Sequence, residues 1–483
     1  MLFMQRPNTR RQVIQIGGGL AVILTAGCLG GELADDQDDG DADDADDGDD
    51  GDDQPAESPV DDGDDTDDEQ ADDSSDDDYE SQIDDDGDDE NDEDDEDEIE
   101  LPPEPIPESE LLNDFEDLPR WDVINGDWQA DPELYFVGSQ SAHVSIDDEN
   151  IRGAIAYRFR PPVELHRRGF QLAVQSDRTI RPWIQLVDIY GNQISFRTLV
   201  RGNLDFQLVD FGIDSVPNEI DLGAVETLRI VTSIPEAETR EINFDSLRVA
   251  GRPSPGIVMI HFDDVVETQY THAYPILEEY DMQATAMVNV GYIGRIVGGR
   301  KRTTPQQLEE LYEAGWDVGN HGMYHLNLLD ADNETRVREI QEAHDWLADY
   351  GFDRGANYFS YPYSRYNQRV IDIVAEDHDL AFAGGYPALA RVANPYLVHR
   401  AHGDPSAEDA IATLDLTAAW GGITTLFYHD VSGDDELEFS AAVEHLAKLR
   451  DEGLLRVVTV SEIEDELLDD SIDAYRMDDV ESE

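Results

Sequence analysis

Two regimes of hydrophobic patterning divide the chain. From about Leu111 to Gly251, apolar and polar residues alternate over short runs: "SAHVSI", "GAIAYRFR", "FQLAVQS", "WIQLVDI", "QISFRTLV", "TLRIVTSI" and "INFDSLRV". A period of two turns one face of a strand inward and the other outward, and "YGNQ" and "RGNLD" supply turns between runs. No helical period of useful length interrupts them. Short strands at regular spacing predict an all-β antiparallel sandwich over 111–251.

From Gly256 the period changes. "IVMIHFDD" is a continuous apolar, β-branched run that ends in two acids, "TQYTHAYPILEEY" reads as helical, and "ATAMVNV" as a strand. The next helix has a clean start, with Thr304 as N-cap, Pro305 in the first turn and Gln307 at the capping-box position. "WDVGNHG" predicts a strand and "ETRVREIQEAHDWLADY" a helix. "YFSYPY", "LAFAGG", "YLVHR", "TTLFYHD" and "LRVVTV" are further strands. Strands alternating with helices predict a parallel sheet or an α/β barrel over 252–470.

Charge adds a third region. The 483 residues hold 32 Lys and Arg against 113 Asp and Glu, a formal net charge of -81. Between Gly31 and Glu100 acids dominate and Lys and Arg are absent. Such a run buries too little apolar surface to offset its ordering entropy, so 29–110 reads as a disordered acidic spacer ending in the Pro-rich stalk "ELPPEPIPESE". Residues 471–483 read as an acidic tail. Lys occurs only at 301 and 448. A domain so acidic and so poor in Lys looks adapted to high salt, which screens the self-repulsion. Nucleic acid is not an expected partner, because phosphate contacts need basic patches and none stands out.

The N-terminus, "TRRQVIQIGGGLAVILTAGC", carries the Arg10-Arg11 pair, an apolar stretch and Thr25-Ala26-Gly27-Cys28. The pair resembles a twin-arginine export signal, and the last four residues resemble a lipobox whose Cys28 is lipidated. Residues 1–28 are thus expected to direct export to the cell surface, with a lipid as the sole membrane contact. The competing reading, a transmembrane anchor over Val13 to Gly30, is short and glycine-broken. Cys28 is the only Cys, which excludes disulfides within the chain.

In α/β folds of this kind, sites form at the C-terminal ends of the strands. There the sequence places Asp263-Asp264, His321 with His325, Pro362-Tyr363, and His429. His321 and His325 alone also fit an ordinary helix face. With Asp264 they make a two-histidine, one-carboxylate set suited to a divalent ion with an open position, provided the HxxxH run starts a helical turn. Asp263 beside it is a candidate base and His429 a candidate acid, a full kit for hydrolysing an amide without a covalent intermediate.

"HFDD", "HGMYH", "YPY" and "LFYHD", in this order, resemble the motifs of the polysaccharide deacetylases, the NodB-homology family. The resemblance runs from Pro255 to Leu468 and includes the closing "VVTVSEI". It implies a distorted (β/α)7 barrel that removes N-acetyl groups from an amino-sugar polysaccharide with zinc or a similar divalent ion. It implies Asp263 as base, Asp264, His321 and His325 as metal ligands, a metal-activated water as nucleophile, and His429 as acid. The backbone N–H of Tyr363, after Pro362, would stabilise the oxyanion. Val265 stands where the family has Gly, Gly322 where it has Ser or Thr, and Ser360-Tyr361 where it often has Arg. Arg400 is a candidate substitute for that Arg in tuning the base. The family's Asp-Trp motif is not recognisable.

The N-terminal region resembles jelly-roll carbohydrate-binding modules through "FEDL", "GSQSAHVSI" and "INFDSLRV". Trp121, Trp128, Tyr135 and Trp183 are either a sugar-stacking platform or core and edge aromatics. Signal, composition and domains together resemble an exported haloarchaeal-type lipoprotein. His261 is expected in the core. His272, His344, His378 and His445 are expected on solvated helix faces, and His399 and His402 near the site. Asp430 either orients His429 or lies at the surface. Two alternatives stay open beside the deacetylase: a non-catalytic glycan-binding surface lipoprotein, and a metal hydrolase of another C–N bond.

Overall fold

The computed structural model describes residues 109–147, 151–233, 239–404 and 406–467. The export signal with Cys28, the acidic spacer as far as residue 108, and the acidic tail lie outside the described residues.

The alternating region forms eleven strands: β1 (Glu110–Asn113), β2 (Asp122–Asn125), β3 (Asp127–Asp131), β4 (Ser141–Ile146), β5 (Arg152–Val163), β6 (Arg168–Ser176), β7 (Trp183–Asp188), β8 (Gln193–Arg197), β9 (Gln207–Ser215), β10 (Val225–Ser233) and β11 (Arg240–Gly251). They pair in the order β2-β5-β10-β7-β8-β9-β6-β11-β4-β3, with β1 on β11, and every pairing is antiparallel. The two halves of this path close over one core. Ile184, Phe196 and Ile230 from one half meet Val144, Phe170 and Phe244 from the other, and the Phe170 and Phe196 rings pack edge to face at 5.2 Å. The two-residue period marks the inward face of β4 and β7, whereas β6, β9 and β11 are buried along nearly their whole length. Trp121 and Trp128 belong to this core and stack on Phe115 and Phe244. Trp183 is half-buried, with Arg152 and Arg197 each over its ring. Of the four proposed platform aromatics only Tyr135 is exposed. Sheet packing has claimed the two tryptophans, because a large ring on an inward position removes more apolar area from water there than at an edge.

The second region is a barrel. Its strands are β12 (Gly256–Asp263), β13 (Thr285–Val288), β16 (Asp317–Asn320), β17 (Tyr358–Ser360), β18 (Leu380–Gly384), β19 (Val398–His402) and β20 (Ile423–Tyr428), all parallel and closed by the β12–β13 pairing. A short hairpin, β14 (Ile296–Val297) and β15 (Arg300–Lys301), rises between β13 and β16, and β21 (Leu455–Val457) adds to β12 outside the closure. The helices are α1 (Tyr274–Glu279), α2 (Pro305–Glu313), α3 (Asn333–Tyr350), α4 (Gln368–Asp377), α5 (Ala407–Trp420), α6 (Asp434–Asp451) and α7 (Val460–Leu467). Odd positions of β12 point inward: Ile257 and Met259 meet Met287, Phe382, Val398 and Ile423 in one cluster. Even positions, Val258, Ile260 and Phe262, pack outward with residues of α1, α2 and α6. A strand buried on both faces reads as an unbroken apolar run, which accounts for "IVMIHF". Thr304 caps α2 with the full capping box.

Sandwich and barrel share an interlocked boundary in the segment between β18 and β19. Asp210 accepts a hydrogen bond from Ala393 N at 2.6 Å, Ile213 N donates to Pro387 O at 2.9 Å, and Asn394 Nδ2 donates to Gln207 Oε1 at 3.0 Å. Burial pushes the Asp210 carboxyl up to about 7, against the pull of Ala393 N–H, Gln171 and Arg391. A Cβ on Gly169 would stand 2.6 Å from Ala390 Cβ, so only glycine permits this approach. His399 turns toward the sandwich, where Thr198 Oγ1 lies 3.3 Å from its Nε2, and so stays away from the strand-end chemistry expected for it.

Candidate active site

Strand β12 delivers two adjacent carboxylates to opposite environments. Asp263 is the last inward residue of the strand and is buried, whereas Asp264 begins the following loop and its side chain is 28% exposed. That loop turns sharply: Asp264 has φ 75° and Val265 φ 51°. A left-handed β-branched residue is a true outlier, which explains why glycine suits this position and makes Val265 a strained substitute. Buried Gln269 fastens the turn by donating to the carbonyls of Asp263 and His429, the latter at 2.9 Å.

"HGMYH" follows β16 as an irregular loop, not the start of a helical turn. Gly322 at φ 83° and His325 at φ 55° reverse the backbone, so the rings converge through left-handed residues rather than through helical spacing. Gly322 is thus required by its backbone where a Ser or Thr would be strained. The loop is held from beneath. Gly322 N donates to Asn320 Oδ1 at 2.8 Å, Asn289 Nδ2 to His321 O at 2.6 Å, and Tyr324 N to buried Glu339 Oε2 at 2.8 Å. Asn320 Nδ2 is within 3.0 Å of His378 Nε2, and His378 is buried at the end of α4, not solvated as its helical position suggested.

One ligand atom each from Asp264, His321 and His325 lies within 4.8 Å of the others. His325 Nε2 is 3.5 Å and His321 Nε2 3.9 Å from Asp264 Oδ1. His321 Nδ1 faces Ser360 O at 2.8 Å, and an N–H donated there leaves Nε2 with its lone pair toward Asp264. Burial, with His321 close by, holds the His325 imidazole below its ordinary pKa and outweighs the pull of Asp264 and Asp263. Two imidazoles and one carboxylate, with ring nitrogens and a carboxylate oxygen turned to one point, fit a divalent cation.

Asp263 is clamped by Arg400 of β19, NH1 to Oδ1 at 2.7 Å and NH2 to Oδ2 at 2.8 Å, and Arg400 is buried over the Phe427 ring. Burial by itself would raise the Asp263 carboxyl. The charges of Arg400 and His321, the Arg400 hydrogen bonds and His429 outweigh it and hold the group well below the usual carboxylate range. His261, two residues earlier on the same inward face, is buried with both ring nitrogens unpartnered among the described residues and is held neutral, mainly by burial.

His429 follows β20. Its Nδ1 lies 2.8 Å from Asp404 Oδ2, and its own N–H donates to the same carboxylate at 3.2 Å. Burial lowers its pKa, but the Asp404 hydrogen bond and the carboxylates of Asp263, Asp404 and Asp264 outweigh it and raise it to about 8. Asp430 does not orient His429. It accepts from Thr268 Oγ1 at 2.7 Å and pairs with Arg300. Sequence reading passed over Asp404, yet it lies two residues past the end of β19, where the strand-end rule that picked Asp263 would have found it. Replacing Asp404 with Asn removes the hydrogen-bonded charge that raises His429. The alkaline limb of the pH–rate profile is then expected to move to lower pH, with the profile below it largely kept. An unmoved limb would show that Asp404 does not set this titration.

Pro362 and Tyr363 follow β17 in a 3-10 turn. Tyr363 is left-handed (φ 57°), 60% exposed, and its ring lies 4.4 Å from that of His325. The next residue, Ser364, accepts from Arg201 of the sandwich through its carbonyl at 3.0 Å, and its Oγ accepts from Gly384 N at 2.9 Å. The sandwich thus props the turn that forms one wall of the site.

Residues 250–381 match the sequence model of the family described as Polysaccharide deacetylase. A putative polysaccharide deacetylase of Bacillus subtilis, YxkH, is 28% identical over 155 residues, 32% of this chain and 54% of that protein. A poly-beta-1,6-N-acetyl-D-glucosamine N-deacetylase of Staphylococcus aureus is 27% identical over 127 residues, 24% of this chain and 43% of that protein. A family 4 carbohydrate esterase from Streptomyces lividans, solved with acetate, superposes over 42% of this chain and 92% of its own at 16% identity and TM-score 0.33. The chain spans about half the length of the curated relatives it matches. The similarity to polysaccharide deacetylases thus falls in the C-terminal part of the chain, over the barrel strands that carry Asp263, Asp264, His321 and His325.

Proposed function

We propose that the protein is a metal-dependent hydrolase that removes N-acetyl or similar acyl groups from an amino-sugar polysaccharide. The observation that carries this reading is the meeting, at three strand ends, of the Asp264–His321–His325 cluster with a clamped carboxylate on one side and a carboxylate-held imidazole on the other. Asp264, His321 and His325 hold the divalent ion, zinc being best matched to this donor set. When bound, the ion supplies Lewis-acid polarisation of the acyl carbonyl and of the attacking water. Asp263, kept ionised by Arg400, takes the proton from that water. His429, protonated at neutral pH, gives a proton to the leaving amine. The N–H of Tyr363 donates to the oxygen on which charge develops. The family departures leave this set of groups complete. Asp404 stands as the partner of His429, and Arg400 reaches the base from β19.

The name of the Staphylococcus aureus relative supports an N-acetylated glucosamine polymer as the substrate class. Export through residues 1–28, lipidation at Cys28 and display at the cell surface belong to the same proposal, since a glycan polymer is met outside the cell. The test is acetate release from N-acetylated amino-sugar oligosaccharides by the full chain. Release is expected with zinc, lost with a chelator and restored by added metal. Glycan retention without any acetate release from the metal-loaded protein would favour the non-catalytic glycan-binding reading.

A further inference from the structure

The chain that shows no basic patch at the scale of its whole composition has a local one. "GRIVGGRKR", Gly294 to Arg302, holds Arg295, Arg300, Lys301 and Arg302, including one of only two lysines. These residues form the β14–β15 hairpin, whose tip, Gly298-Gly299, is left-handed and open on all sides. Its base is tied to the loop that presents Asp264: Thr303 N donates to Val265 O at 2.8 Å, and Arg302 NH1 to Asp264 O at 2.8 Å. Arg300 lies 3.3 Å from Asp430, the residue after His429, and Lys301 3.4 Å from Glu267. The hairpin therefore runs along the rim between the ends of β12 and β20, beside the proposed metal ligand and beside the proposed acid.

Resting on the deacetylase reading, we infer that this hairpin is an anion-recognition finger, and that the polymer carries acidic groups, carboxylate or sulfate, on sugars near the acylated one. A net charge of -81 repels a polyanion, so a substrate of that kind needs local positive charge where it enters. Arg300 and Lys301 side chains are 60% and 69% exposed, and each reaches one partly buried carboxylate, Asp430 at 18% and Glu267 at 28%. One ion pair each leaves further N–H donors of the guanidinium and the ammonium turned to solvent for a sugar carboxylate or sulfate. Arginine offers the bidentate geometry for either anion. In concentrated salt the field of the patch is short-ranged, so recognition acts by direct contact at the rim.

The experiment compares binding of the full chain to three probes at one salt concentration. Hyaluronan oligosaccharide carries N-acetyl groups and carboxylates, chondroitin sulfate oligosaccharide adds sulfate, and chitin oligosaccharide is neutral. The wild type is expected to favour an acidic probe over the neutral one by at least about tenfold, and an Arg295→Ala/Arg300→Ala/Lys301→Ala variant with unchanged melting temperature to lose that preference. Preference for hyaluronan points to carboxylate, and preference confined to the sulfated probe points to sulfate. Equal affinity for acidic and neutral probes, or a preference that survives in the variant, overturns the inference. Acetate release, read on the same samples, separates the two failures. Release without charge preference leaves the deacetylase and removes the finger, whereas hairpin-dependent preference without release does the reverse.

Discussion

Exchanging Asp263 for asparagine is expected to lower the deacetylation rate by about 10²–10⁴-fold, the range typical of a lost general acid–base group, while the metal stays bound. The amide cannot take a proton, yet it is nearly the same shape as the carboxylate. The three proposed ligands, Asp264, His321 and His325, are untouched. The exchange also disturbs the clamp. Arg400 is buried and meets both Asp263 oxygens, so asparagine leaves its charge uncompensated. Breaking a buried pair from one side costs about 3–5 kcal/mol, and a lowered melting temperature should accompany the loss of rate. Turnover and metal content measured on the same folded sample decide the matter. A variant that keeps both its metal and its rate would remove Asp263 from the mechanism.

Truncating both histidines, His321→Ala with His325→Ala, is expected to abolish metal binding and reduce deacetylation to background. Two of three ligands go at once. An ion that binds only the folded chain stabilises it by about 2.7 kcal/mol at a free concentration one hundred times its dissociation constant. Added zinc should therefore raise the melting temperature of the wild type and leave that of the variant unchanged, a readout independent of catalysis. His321 is buried, so the variant begins from a lower melting temperature, and the quantity to compare is the shift on adding metal. Equal shifts in the two proteins would place the ion elsewhere.

Much of the fold was legible because its cause is local. The alternating runs quoted for 111–251 became β4 to β8, β10 and β11, while β1, β2, β3 and β9 were not among them. The unbroken run "IVMIHF" marks a strand covered on both sides, as in a closed parallel barrel. The cap at Thr304 involves groups three residues apart and is present as expected. Strand ends collect site residues in this architecture, which is why Asp263, Asp264, His321, Tyr363 and His429 were named from position alone.

What the sequence left open or missed has a common origin in contacts between distant segments. Trp121 and Trp128 were candidates for a sugar platform, and whether an aromatic faces the core depends on which strand covers it. His378 sits where a helical face would be solvated, but Asn320 of β16 comes within hydrogen-bond distance of it. His399 flanks a strand end near the site, yet alternate residues of a strand face opposite ways, and the sandwich meets it through Thr198. Asp430 adjoins His429 in sequence, whereas Asp404, 25 residues earlier, is the group that touches it.

The sequence by itself determined the two domain types, the strand ends and the residue types available there, because hydrophobic period and local capping are set by neighbours in the chain. Tertiary structure alone decided which carboxylate serves which imidazole, that the sandwich braces the Tyr363 turn through Arg201, and that a basic hairpin lies at the rim, and it turned the candidate Arg400 into a clamp on both Asp263 oxygens across 137 residues. Those pairings depend on barrel closure and on the docking of one domain against the other, and no period along the chain records the distance between segments that meet only when folded.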